Sequence, residues 1–207
     1  MDLGLSVPAI VALSPVLGVV AAVVRMTSPG PAFFRQERVG RDGRSFRIHK
    51  FRTMVDRHDG VTVSSTGDPR VTRTGRVLRR TKLDELPQLI DVIRGDMALV
   101  GPRPEVPEYV EYWSPADREI ILSVRPGITD PASIRFRHEA DLLADAPSPR
   151  QYYIDVLIPQ KVALYREYVD QRTVRGDVGI IVATLRTLFP ARRLNGPRSS
   201  SSATTEA

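Results

Sequence analysis

From Leu3 to Val24 no residue carries a charge, and this stretch constrains the chain more than any other feature. At about 1.5 Å of rise per helical residue it is just long enough to cross a hydrocarbon core. Pro8, the Ser14 and Pro15 pair and Gly18 interrupt it. An interior proline removes a helix hydrogen bond and crowds the preceding turn, so the segment is expected to bend. Three arrangements stay open on this reading: a spanning helix, a helix-break-helix that enters and leaves lipid by one face, and a buried core helix. For the second, Ser14 stands where its hydroxyl can satisfy a carbonyl freed at the break. A secretory leader fits poorly, because Asp2 sits where a basic n-region is wanted.

The rest of the 207 residues suffices for one ordinary domain with appendages. A formal net charge of +6 points to anionic partners: nucleic acid, anionic headgroups or phosphorylated small molecules. The absence of cysteine excludes disulfides, thiolate metal sites and cysteine nucleophiles. His49, His58 and His138 are scattered and read as solvated surface residues rather than a metal cage.

After "TSPGP", the stretch "AFFRQERVGRDGRSFRIHKFRTM" reads as two strands around an Asp42-Gly43 turn. The second strand sets Phe46, Ile48, Lys50 and Arg52 on one side, which gives Lys50 apolar neighbours. On its own such a lysine is read as snorkelling from a strand end. "GRVLRR" is a short helical run. The following helix carries Leu86, Leu89, Ile90 and Ile93 at i, i+3, i+4 and i+7, a stripe expected to face the core. Pro87 belongs in a first helical turn, which places Asp84 at or near the N-cap and Glu85 at the first position. Both carboxylates then sit at the positive end of the helix dipole. Further helices are expected in 106–124, and a long amphipathic pair in 151–189, interrupted at Pro159 and Gly176. The end is polar and low in complexity, and reads as a disordered tail.

An adjacent Asp-Glu pair alone is ordinarily a solvated helix cap. Here it lies in "KLDELPQLIDVIRGDMALVGPRPE", after "SPGPAFFRQERVGRDGRSFRIHKFRTM" and a proline-broken apolar N-terminus. In that order and spacing, from about Asp2 to about Arg137, the chain resembles the bacterial sugar transferase family of monotopic phosphoglycosyl transferases. The resemblance implies transfer of a phosphosugar from a UDP-sugar to a polyprenol phosphate, with release of UMP and a requirement for Mg²⁺. It also implies a covalent aspartyl phosphosugar, with Asp84 as nucleophile and metal-binding carboxylate and Glu85 as its partner, a base for the acceptor. Lys50, Arg79 and Arg103 match the family's basic positions and are read as phosphate-binding. Arg103, between Pro102 and Pro104, can offer a planar fork to phosphate oxygens. Ser14 and Pro15 match the helix-breaking pair, which favours the re-entrant hairpin over the spanning helix.

The expected architecture is α+β, mostly helical with a small β-hairpin. Residues 1–26 form the re-entrant membrane hairpin, 27–190 the catalytic domain and 191–207 the tail. The expected location is the cytoplasmic face of a bacterial inner membrane, and pairing into a homodimer is left open. Two features depart from the family pattern. The basic residues that commonly precede the apolar segment are not matched here, so orientation is not legible from them. After "RPGIT" the chain reads "DPASIRFR", with only Arg137 matching a loop expected near the nucleotide sugar. The rival reading is a non-catalytic membrane-docked accessory protein of a polysaccharide pathway, which an intact acidic pair in a basic setting disfavours. No helix-turn-helix, finger or aromatic basic platform supports nucleic-acid binding. Glycosidase carboxylates flank a sugar at about 5 Å or more, unlike neighbours at one helix start.

Overall fold

A computed structural model describes residues 1–55 and 64–188, so the expected tail at 191–207 and His58 lie outside the described residues. Helix α1 (Asp2–Thr27) is one continuous helix that contains Pro8 and Pro15. The two arms expected on either side of Pro15 are therefore not separated. Pro15 has no N–H to offer the carbonyl four residues back, and that carbonyl is Val11. The Ser14 hydroxyl donates to Val11 O at 2.8 Å, which supplies the missing donor and lets the helix continue.

One stripe of α1 is covered along its whole length. Asp2, Ser6, Ile10, Leu13, Leu17, Ala21 and Val24 are buried or half-buried, at helical spacing. The opposite face leaves Leu3, Val7, Val11, Val16, Val19, Val23 and Met26 exposed. At the end of α1, the buried Arg52 guanidinium donates to Ser28 O at 2.7 Å and to Ser28 Oγ at 2.9 Å, and so caps the last turn.

Strands β1 (Phe33–Val39) and β2 (Ser45–Phe51) form the expected antiparallel hairpin, with Phe33 opposite Phe51 and Val39 opposite Ser45. Its turn places Asp42 and Gly43 at positive φ, 55° and 73°, as an Asp-Gly turn requires. Helix α2 (Arg73–Thr81) starts at Thr72, whose hydroxyl accepts from Gly75 N. A 3₁₀ segment, Leu83–Gln88, then runs into α3 (Leu89–Arg94). Strand β3 (Ala98–Val100) pairs in parallel with β4 (Gly127–Thr129), with α4 (Pro107–Val110) and α5 (Pro115–Ile121) between them. Helices α6 (Pro131–Arg135), α7 (Glu139–Asp145) and α8 (Pro149–Tyr152) lead through a π turn, Tyr153–Leu157, into α9 (Ile158–Gln171) and α10 (Val174–Leu188). Pro159 sits in the first turn of α9, and the α-helical run is interrupted directly before it by the π turn, without a break in the chain direction of the kind a loop would make. The break expected at Gly176 falls instead at Arg172 and Thr173, and Gly176 lies inside α10.

The main core joins Tyr109, Trp113, Ile121, Leu157 and Tyr165, and so packs α4 and α5 on α9. A second cluster packs Leu17, Val20, Ala21 and Val24 of α1 against Phe51, Leu78 and Leu83. Helix α1 also lies on α3 and β3. The parallel β3/β4 pair was not foreseen, because three-residue strands are too short to show a period. It depends on two glycines at a backbone crossing. Gly127 N donates to Pro102 O at 3.0 Å, and a Cβ on Gly127 would stand 2.1 Å from Gly101 N. Gly127→Ala should therefore cost more than about 3 kcal/mol by prising the strands apart, read as a fall in the denaturant midpoint.

Candidate active site

The 3₁₀ segment places two carboxylates inside the protein, where unpaired ones are rare. Lys82 adopts the left-handed region (φ 57°), which ends α2 and turns the chain so that Asp84 and Glu85 point inward. The exposed fractions are 8% for Asp84 and 9% for Glu85. Six residues is long for a 3₁₀ segment, whose hydrogen bonds are poorer than those of an α-helix. The expected apolar stripe faces inward only in part. Leu89 is buried, Leu86 and Ile90 are half-buried and Ile93 is exposed, while the polar Asp84, Glu85, Gln88 and Asp91 are buried as well. Nor does Asp84 cap the helix: Lys82 holds the N-cap position without a side-chain bond, and Asp84 Oδ1 is buried with no hydrogen-bond partner among the described residues.

Glu85 is fully engaged by contrast. Lys50 Nζ donates to its Oε1 at 2.9 Å, and both Arg103 terminal nitrogens donate to the carboxylate, NH1 at 3.3 Å to Oε2 and NH2 to Oε1. The Arg103 fork expected to face a phosphate thus faces Glu85, and among the described residues three of its five N–H groups have no other partner. Lys50, which the strand pattern alone read as snorkelling, is an inward ion-pair partner. Arg79 does not join this cluster by hydrogen bond: its Nε donates to Thr53 Oγ1 at 2.9 Å and its NH1 to Ser64 Oγ at 2.7 Å. Its charge nonetheless acts on Asp84. Arg137 is exposed, and its Nε donates to the neighbouring His138 ring at 2.9 Å. Ser14 and Pro15 lie on the exposed side of α1, away from the carboxylates.

The two carboxylates are pushed in opposite directions. Burial raises the Asp84 pKa, and the Glu85 charge raises it further, against the opposing pull of Lys50, Lys82 and Arg79. Burial would also raise Glu85, but Arg103, then Lys50 and Lys82, hold it well below the usual carboxylate range. Burial lowers Lys50 to about 8, a shift that Glu85 limits. Pairs of titratable groups driven apart in this way mark acid-base and nucleophilic sites.

A family model described as bacterial sugar transferase matches residues 1–191. The chain belongs to that family. It is 38% identical over 196 residues to the UDP-N-acetylgalactosamine-undecaprenyl-phosphate N-acetylgalactosaminephosphotransferase of Aeromonas hydrophila, covering 91% of this chain and 43% of that one. Identity is also 38% over 180 residues to the UDP-glucose:undecaprenyl-phosphate glucose-1-phosphate transferase of Caulobacter vibrioides, covering 85% and 63%. The exopolysaccharide production protein ExoY of Sinorhizobium fredii is 33% identical over 208 residues, covering 92% and 84%. The chain thus spans well under two thirds of the Aeromonas protein and slightly under two thirds of the Caulobacter one.

In this member of the family, several buried polar groups that hold the site are not legible in the sequence. His49 is not a surface residue: it is 6% exposed, its backbone N donates to Asp91 Oδ2 at 2.9 Å and its Nδ1 lies 2.5 Å from Asp91 Oδ1. That double link pins α3 to β2 one residue before Lys50. Arg38, lowered in pKa by burial, donates to Pro104 O at 3.1 Å and Glu105 Oε1 at 3.3 Å, and so fixes the far end of the Arg103 loop. Its alternation with Phe34 and Gln36 on one strand face was the available signal. Asp130 occupies the position where the chain departs from the family pattern. It is fully buried and caps α6 through Ser133 N at 3.0 Å, with Arg103 close enough to influence it.

Proposed function

We propose that this chain moves a phosphosugar from a UDP-sugar to polyprenol phosphate, through a covalent phosphosugar on Asp84, at the cytoplasmic face of a bacterial inner membrane. The observation that carries this reading is the division of labour between the two carboxylates: Glu85 is saturated by cations, and Asp84 is buried with an oxygen left unbonded among the described residues. A carboxylate is a better nucleophile when hydrogen bonds do not occupy its lone pairs and burial has stripped its water. In the first step an Asp84 oxygen attacks the phosphorus that bears the sugar. A P–O bond forms to Asp84, the diphosphate P–O bond breaks, and its electron pair leaves with UMP. In the second step an oxygen of polyprenol phosphate attacks the same phosphorus, the acyl phosphate bond breaks, and Asp84 is released as carboxylate.

Glu85, held at low pKa, is a poor base. A phosphate monoester with a second pKa near about 6 is already largely dianionic at neutral pH and needs none. The role that fits Glu85 is to orient Lys50 and Arg103, whose remaining N–H groups stabilise charge as it develops on the transferring phosphoryl group. Among the described residues no group of three or more His, Asp or Glu side chains forms a ready cage for a metal. Mg²⁺ commonly takes only one or two carboxylates together with substrate phosphates, and the free Asp84 oxygen suits that mode. Bound there, it would neutralise charge on the diphosphate.

Membrane association is supported by α1, whose length and composition suffice to cross a bilayer. Because α1 lies along the body from Asp2 to Val24, its exposed apolar face can meet lipid only from the side on which the body stands. That geometry favours a one-sided, monotopic arrangement. Incubation with undecaprenyl phosphate and a panel of UDP-sugars, scored by UMP release, tests the proposal; no UMP from any donor would reject it. The rate should fall at low pH as Asp84 protonates, with its midpoint above that of an ordinary aspartate because its pKa is raised. It should fall again above about pH 8 as Lys50 loses its charge. A pH-rate profile of kcat/KM checks both limbs.

A further inference from the structure

We infer that Lys161 is a positioning residue for this transfer, tying the segment that carries Arg137 to the loop that carries Arg103. This rests on the function proposed above; the tie starts at Glu105, the last residue of a matched motif, and runs through Tyr153, Lys161 and Glu139, which lie outside the matched motifs. Lys161 lies on α9 and is 7% exposed, an unusual place for a lysine unless it is paired. Its Nζ meets Glu139 Oε2 at 2.5 Å, donates to the Tyr153 hydroxyl at 3.3 Å, and lies 4.6 Å from the Tyr153 ring centroid. The Tyr153 hydroxyl in turn donates to Glu105 Oε2, while Glu105 Oε1 accepts from Arg38.

One end of this chain of contacts abuts the buried site, and the other adjoins Arg137. Glu105 follows Pro104, so it sits two residues from the Arg103 fork. Glu139 opens α7 two residues after Arg137, and its backbone N donates to Phe136 O at 2.9 Å, which closes the turn holding Arg137 and His138. Tyr153 reaches inward from the π turn, a helix irregularity that recurs at functional sites, and its ring packs 4.8 Å from that of Tyr109. The segment read as facing the nucleotide sugar and the loop read as facing its phosphates are thus joined by a buried path through α9. A path of this kind holds two substrate-contacting segments in register, and misplacement of about 1 Å can cost up to 10²-fold in rate.

Glu139→Gln is the gentler test, since the amide keeps the shape of a part-exposed side chain while taking the counter-charge from the buried Lys161; Lys161→Met is the stronger one. Both should lower kcat/KM for the UDP-sugar about tenfold, leave KM for undecaprenyl phosphate unchanged, and weaken calorimetric binding of UDP. The double variant should be no worse than Lys161→Met alone, because both break one path. Lys161→Arg should recover most of the loss. The inference is overturned if Glu139→Gln retains donor kcat/KM and UDP affinity within twofold of the parent, or if the two losses multiply. It is also overturned if donor and acceptor parameters fall together in proportion to a drop in Tm. A parent protein that turns over normally while the variants match it sinks the tie alone. A parent that neither releases UMP nor binds UDP sinks the transferase reading and the tie with it.

Discussion

Asp84→Asn abolishes UMP release, by at least about 10⁴-fold, and leaves the protein as stable as the parent or more so. The two halves of that expectation have one cause. The buried Asp84 carboxylate has an oxygen without a hydrogen-bond partner among the described residues, and its pKa in the folded chain is raised above the unfolded value. The sign follows from linkage: the folded state holds the proton more tightly, so stability is lost as pH rises through the raised pKa, and at neutral pH the ionised group costs stability. A neutral amide of the same shape removes that cost together with the nucleophile. Thermal unfolding at pH 7 checks the first half. Mass spectrometry of protein mixed with UDP-sugar alone checks the second: a phosphosugar adduct should appear on the peptide containing Asp84 in the parent and not in the variant. Turnover of the Asn variant at the parent rate would end the nucleophile assignment.

Glu85→Gln should behave in the opposite way. Lys50 and Arg103 share this one carboxylate, and removing its charge leaves two cations facing each other inside the protein. Taking away one partner of a buried pair costs about 3–5 kcal/mol at full burial; the side chains of Lys50 (16% exposed) and Arg103 (29% exposed) place this case toward the lower end. Transfer should slow about 10²-fold as the cations lose their orientation. The pH profile offers the sharper check. Glu85 is the main influence holding up the Lys50 pKa, so in the variant the alkaline limb should move below pH 8. A limb that stays in place would show that Lys50 does not report on Glu85. Binding to vesicles should be unchanged, since neither side chain lies on α1.

What could be read from the sequence was whatever local chemistry dictates. The hairpin at Asp42-Gly43 followed from backbone preference, and the Ser14 compensation at Pro15 from a missing N–H. The grouping of Lys50, Glu85 and Arg103 was legible only through the resemblance, because 50, 85 and 103 are brought together by tertiary packing. The inward turn of the polar residues of 83–94 was not legible for a physical reason: apolar periodicity assigns polar residues to solvent, whereas here buried cations receive the carboxylates while Leu89 is buried too. His49 and Asp91 failed the same rule, each inside because the other is. Arg137 was located by motif alone, and the path from it through Lys161 has no sequence signature.

The packing of α1 has a mechanical consequence. Phe51, Leu78 and Leu83, the side chains that its second half rests on, are each next in sequence to a site residue: Lys50, Arg79 and Asp84. If the outer face of α1 rests in lipid, the reacting carboxylate is held at a set height over the bilayer by contacts one residue away. A polyprenol phosphate confined to the same leaflet then meets the loaded enzyme by lateral diffusion in two dimensions, with its phosphate delivered at the headgroup level whatever the length of its hydrocarbon tail.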